Sequence, residues 1–107
     1  MDATPNEVLR IEVLHDERTI VLDGELDMAD TDTLTRAAAS LAAERGDLIL
    51  DLRALTFIDS SGLLALLRTA DRLREGNLVL RKPSDTVRHV LDLVELTAVS
   101  PRIVIEA

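Results

Sequence analysis

The chain has no cysteine, no tryptophan and no tyrosine, and Phe57 is its one aromatic residue. Without cysteine, neither a disulfide framework nor a thiolate metal site can form, which fits a reducing compartment. Without aromatics, any core must be aliphatic. An apolar fraction of 47% over 107 residues is enough for such a core, in a chain the size of one ordinary domain. Positive charge is also scarce. Twelve Lys and Arg face 20 Asp and Glu, for a formal net charge of −8. A surface of that sign repels nucleic acid and anionic lipid, so neither is expected as a partner. No apolar run approaches the roughly 20 residues of a membrane helix. The start, "MDATPNEVLR", lacks both the basic residues and the apolar stretch of a signal peptide. There is no internal repeat, low-complexity segment or linker. The expectation is a single domain over 1–107, in the cytoplasm.

What is present alternates between two periods. "EVLRIEVL" alternates from Val8 through Ile11 and Val13, as a half-buried strand does. After the polar turn "HDER", "TIVLDGEL" reads as a second strand, and the two predict a hairpin. "ADTDTLTRAAASLAAERG" predicts a helix capped by Asp30 or Thr31, with Leu34, Ala37, Ala38, Leu41 and Ala42 on one face and Gly46 as its stop. "DLILDL" is a continuous apolar run, the pattern of a strand covered on both faces. A strand over Leu48–Leu52 followed by a short connection, "RALTF", is expected. A second helix runs to about Glu75 with Gly76 as its stop, and "NLVLR" is a further buried strand. Ser84 caps a third helix, "SDTVRHVLDLVEL", with Val87, Val90, Leu91 and Val94 inward. After Pro101, "RIVIE" reads as a last short strand. Strands joined through helices imply right-handed crossovers. The expected class is α/β: a mixed, mainly parallel sheet of four to five strands packed with three or more helices.

The most informative stretch is "FIDSSGLLALL", residues 57–67. An apolar run stops at Asp59; two serines and Gly62 follow, and leucines then resume at helical spacing. The first N–H groups of a helix have no partner within it, and Asp or Ser supplies one. A single cap accounts for one such side chain. It leaves the others of Asp59, Ser60 and Ser61 unexplained, and with them a glycine that keeps the turn free of bulk. A helix N-terminus also tolerates an added anion, because its dipole is positive there. A phosphoserine at this place would change the surface charge by roughly −1.5 to −2 and leave the fold intact. The Ser61 hydroxyl is expected to cap the helix before any such modification. Along that helix Leu63, Leu66, Leu67, Ala70 and Leu73 share the core stripe. Leu64, Arg68, Asp71 and Glu75 fall on the other side, which makes Leu64 and Arg68 candidate partner contacts.

Other chemistries find little support. "I-D-S-S-G" lacks the first glycine of a nucleophile elbow. His15 falls in the hairpin turn and His89 in the third helix, and nothing places either beside the serines. The acids Asp23, Glu25, Asp27 and Asp30 read as a solvated turn and cap, without calcium-loop spacing. Arg81 and Lys82 read as a solvated strand end. No Walker loop and no dinucleotide fingerprint occurs. The chain is therefore expected to be no enzyme and to carry neither metal nor cofactor.

"VLDGELDMADTDTL", "LILDLRALTFIDSSGLLALL" and "LVLRKPSDTVRHVLDLVEL" resemble the STAS family, and within it the bacterial anti-sigma factor antagonists. The similarity runs over almost the whole chain, and "DSSGL" and "GELD" are its most specific parts. The resemblance implies partner switching. The unmodified antagonist binds an anti-sigma factor that is also a serine/threonine kinase, which frees a sigma factor. Phosphorylation at the start of the second helix releases the kinase, and a phosphoserine phosphatase resets the antagonist. By position the implied acceptor is Ser61, with Ser60 as the fallback, and Asp27, Asp59 and Gly62 form its surroundings. The family also contains non-switching accessory and scaffold subunits of transport or stress-signalling complexes. The complete "DSSGL" favours the switch. Two features depart from the family pattern: Glu95 stands where glycine is frequent, and no final helix follows "RIVIEA".

Overall fold

A computed structural model describes residues 9–107; the expected strand position of Val8 lies outside the described residues. The first two strands, β1 (Leu9–Leu14) and β2 (Thr19–Leu26), pair antiparallel as the expected hairpin, with Ile11 opposite Leu22 and Val13 opposite Ile20. A single 3₁₀ turn over Met28–Asp30 then leads into α1 (Thr31–Ala42). The chain continues through β3 (Leu48–Ile58), α2 (Ser60–Arg72), β4 (Leu78–Arg81), α3 (Asp85–Leu93), α4 (Leu96–Val99) and β5 (Ile103–Glu106). The five strands lie in chain order, and every pairing after the first is parallel.

That order, with right-handed crossovers, places every helix on one face of the sheet. Burial agrees. Ile20, Leu22, Leu50, Leu52, Leu78 and Leu80 are fully buried against the helices, while the alternate residues Val21, Ile49, Asp51 and Val79 are only part-buried. The core is aliphatic, built from leucines of the sheet and from Leu34, Leu41, Leu66 and Leu91 of the helices. The open face carries Val21, Ile49, Val79 and Val104 together with paired charges: Arg10 with Asp23 at 2.7 Å, Arg53 with Asp51 at 3.1 Å and Arg81 with Glu106 at 2.6 Å.

Four expectations need correction. "RALTF" is not a connection but the continuation of β3, because β2 offers it partners: Leu55 pairs with Gly24, Phe57 with Glu25 and Ile58 with Leu26. Register shifts near Asp23 and Glu25 absorb the broken alternation that made this stretch read as a loop. Helix α1 ends at Ala42 and α2 at Arg72, so Gly46 and Gly76 lie in the loops beyond rather than at the helix stops, both with positive φ. The third helix is broken in two. Glu95 adopts the left-handed conformation (φ 50°) and turns the chain from α3 into α4, which leaves Val94 41% exposed instead of inward. Finally, neither Asp30 nor Thr31 caps α1 with its side chain. The cap sits one turn earlier, where the Asp27 carboxylate accepts the Ala29 N–H and the Asp30 carboxylate accepts the Asp27 N–H.

The longer β3 has a consequence for position. β4 pairs with Leu48–Asp51 only, so the last seven residues of β3, with β2 beside them, project roughly 20 Å past the end of β4. The turn into α2 sits at the tip of that projection.

Candidate functional site

The site is the carboxyl end of β2 and β3, where two helices begin. Asp59 is extended (φ −111°, ψ −173°), and its Oδ1 accepts the Gly62 N–H at 2.9 Å, while its carbonyl accepts the Leu63 N–H. The aspartate is thus the N-cap of α2, which corrects the expectation that the Ser61 hydroxyl fills that role. A carboxylate is the stronger cap here, because it also meets the positive end of the helix dipole. Ser60 and Ser61 occupy the first two helical positions, with Ser60 exposed and Ser61 half-buried. Among the described residues, neither hydroxyl hydrogen-bonds to another group, and the N–H groups of Ser60 and Ser61 are likewise unpaired.

Gly62 is present for space, not for backbone freedom. A Cβ there would lie 2.6 Å from the Leu26 carbonyl oxygen and 2.7 Å from Ile58 Cγ1. Its absence lets α2 press directly on the ends of β2 and β3. The two helix starts are tied together as well: the Thr31 hydroxyl, first in α1, donates to the Ser61 carbonyl at 3.5 Å. This closeness gathers acids. Burial raises the Asp30 carboxyl above the ordinary carboxylate range. The charges of Asp27 and Asp59 push it further up, against the Asp27 N–H that it accepts. Asp27, Asp30 and Asp59 therefore form one electronegative corner beside the serines.

Leu64 is 43% exposed, and Arg68, one turn further, is exposed and makes no ion pair among the described residues. Leu64 does not stand alone. It forms part of an apolar groove of about 470 Å³ lined by Ser60, Ser61, Leu63, Leu67 and, across from α2, Val94, Leu96 and Val99. Val99 is 62% exposed. The residues from the α3–α4 turn escaped the sequence reading, because an uninterrupted helix turned Val94 inward and left α4 unseen. The available signal was Glu95 standing where glycine is frequent, a position that the structure places in the left-handed conformation.

His15 lies in the hairpin turn, at the opposite end of the sheet, 3.3 Å from Glu44; His89 is exposed on α3. No three His, Cys, Asp or Glu side chains among the described residues are placed to hold a metal ion. No described helix is long and apolar enough to cross a membrane.

Comparison with known families matches residues 9–104 to the STAS domain, and the chain belongs to that family. The fold is similar to that of the anti-sigma factor antagonist SpoIIAA in its unphosphorylated form: 23% identity, TM-score 0.63, covering 92% of this chain and 88% of that one. It is also similar to an anti-sigma factor antagonist from Mycobacterium paratuberculosis: 26% identity, TM-score 0.59, covering 90% of this chain and 83% of that one. No curated protein sequence matches.

Proposed function

We propose that this STAS-domain protein is a non-enzymatic regulator, a cytoplasmic anti-sigma factor antagonist that works by partner switching. Unmodified, it binds an anti-sigma factor that is also a serine/threonine kinase, and so releases a sigma factor. Phosphorylation of Ser61 ends the complex, and a phosphoserine phosphatase restores it. One observation carries this reading. The helix cap belongs to Asp59, so the hydroxyls of Ser60 and Ser61 are structurally unspent. A phosphate on Ser61 breaks no internal hydrogen bond.

The electrostatics then separate fold from binding. The free N–H groups and dipole of α2 offset part of the added charge, by about 0.3–1 kcal/mol in an exposed setting. The corner of Asp27, Asp30 and Asp59 works against it, yet Ser61 is only half-buried, so water still screens part of the charge. A partner surface shaped for a neutral hydroxyl screens it far less, and a buried unpaired charge costs several kcal/mol. Leu64 and Arg68, on the same exposed face of α2, supply contact area next to the switch.

The test is a kinase assay with ATP and the cognate kinase, obtained by co-purification from the native cell, on wild type, Ser60→Ala and Ser61→Ala, read by intact mass. The expected result is phosphate on wild type and on Ser60→Ala, none on Ser61→Ala, and a persistent Ser61→Ala–kinase complex. Phosphate on Ser61→Ala but not on Ser60→Ala moves the acceptor to Ser60. Phosphate on none of the three removes the switch and leaves a non-switching accessory or scaffold subunit.

A further inference from the structure

The apolar groove beside the serines extends well beyond the helix start. Its far wall is the α3–α4 turn, where Val94, Leu96 and Val99 face Leu63, Leu64 and Leu67 of α2. Three of the large apolar residues that the protein leaves exposed, Leu64, Val94 and Val99, lie on it together. Exposed apolar side chains gathered along one groove, with polar groups at its rim, mark an interaction site.

The charges around the groove select its occupant. At the serine end stands Asp59, close enough to Asp30 to raise that carboxyl, with Asp27 beside it. At the other wall Glu95 separates Val94 from Leu96 and is exposed. The protein as a whole carries −8. The unpaired N–H groups at the start of α2 and the exposed Arg68 are positive, but the carboxylates of Asp27, Asp30, Asp59 and Glu95 outnumber them, so a cationic segment is favoured over an acidic or phospholipid one. Resting on the partner-switching reading above, we infer that the groove between α2 and the α3–α4 turn receives an apolar side chain from a basic amphipathic helix of the partner. The lysines or arginines of that helix face Asp59 and Glu95. The volume, about 470 Å³, suits one or two such side chains and not a whole helix. The serines form the polar rim that the helix must pass over, so the groove and the modifiable hydroxyl belong to one surface.

A short helical peptide of leucine and lysine, and its counterpart of leucine and glutamate, serve as probes. Binding is followed by methyl chemical shifts on the full chain. The lysine peptide should shift the methyls of Leu64, Val94 and Val99, leave those of Ile49 and Val79 unmoved, and bind at least ten times tighter than the glutamate peptide. Val99→Asp is the decisive variant. It adds a negative charge, so a merely electrostatic attraction strengthens, whereas insertion into the groove weakens by tenfold or more. Val99 is exposed, so the variant keeps its fold, which circular dichroism checks. Equal binding of both peptides, unshifted groove methyls, or unchanged or tighter binding by Val99→Asp each overturns the inference. The outcome is separable from the kinase assay. Phosphate on Ser61 with an empty groove removes only the groove. A groove that binds as stated in a protein that accepts no phosphate keeps the docking site and removes the switch.

Discussion

The two ends of the sheet are built on opposite plans. At the amino end several polar side chains are committed to internal hydrogen bonds. The Arg18 guanidinium donates to the carbonyls of Leu41, Gly46 and Asp47 and to the Glu44 carboxylate, tying the hairpin turn to the end of α1. The Asp47 carboxylate accepts the Asn77 N–H, and Arg102 donates twice to the Gly76 carbonyl. At the carboxyl end, by contrast, Asp27 and Asp59 cap the turns and two serine hydroxyls remain unspent. An acidic corner there lies beside an uncovered apolar groove. One end closes loops; the other leaves polar and apolar groups unspent, as the proposed switch requires. Stability and function can therefore be perturbed separately.

The largest expected effect falls on function alone. Phosphorylation of Ser61 should weaken binding to the proposed kinase by about 10⁴-fold, equivalent to about 5.5 kcal/mol, and Ser61→Asp, with a single carboxylate, by less, with the thermal midpoint nearly unchanged. Titration calorimetry and a melt on the same sample check both halves. A large drop in melting temperature breaks the separation of the two ends.

Gly62→Ala should disturb both properties, because the added methyl meets the Leu26 carbonyl and Ile58. A cost of about 1–3 kcal/mol is expected, and each kcal/mol lowers the melting temperature of a domain this size by about 4–8 °C. Kinase binding should fall too, as α2 is pushed off the strand ends. Arg18→Ala is the matching change at the other end. It leaves the Gly46 carbonyl without its donor, since Leu41 still accepts the Glu44 N–H, at about 1–3 kcal/mol, and should not alter kinase binding by the folded protein. Together the pair sharpens the contrast, since equal effects on binding would erase it.

Glu95→Gly is expected to stabilise, by about 0.5–1 kcal/mol, because glycine adopts the left-handed conformation without the penalty of a side chain. Denaturant midpoints resolve a change of that size.

The smallest effects are in pH dependence, and the two carboxylates differ in sign. Asp30, raised by its burial and its acidic neighbours, lowers stability while ionised. That loss is relieved as pH falls through its raised folded value toward 3.8. Burial alone would raise Asp51 as well, but the hydrogen bonds and charge of Arg53, with the charge of Arg81, hold it below the ordinary value. Its contribution is present above pH 3.8 and lost as pH falls through the lowered folded value. Melts between pH 3 and 7 should show Asp30→Asn more stable than wild type near neutrality, with the gap narrowing in acid. Asp51→Asn should be the less stable protein near neutrality, again with the gap closing in acid.

Much of the candidate site was legible in the sequence. "DSSG" placed a strand end against a helix start, and Leu64 and Arg68 emerged on the exposed side of α2 from periodicity alone. The roles within "DSSG" were not legible. Asp, Ser and Ser all serve as caps, and only the extended backbone of Asp59 decides that the aspartate does so here. The groove was invisible for a different reason. A single residue in a rare conformation, Glu95, broke an apparently continuous helix and turned Val94 outward.

Local chemistry by itself determined that this chain is α/β, with an antiparallel hairpin followed by parallel strands, because periods of two and 3.6 and the capping residues are written along it. It likewise determined an aliphatic core and an acidic surface, which follow from composition. Only the tertiary structure decided how far β3 extends, since a strand ends where its partner does, and β2 reaches to Leu26. Only the tertiary structure decided that Gly62 is needed for contact and not for a turn, because the Leu26 carbonyl that excludes its side chain lies 36 positions away in the sequence. The groove, too, exists because α2 and the α3–α4 turn are carried by different crossovers of one sheet and meet only when that sheet is assembled.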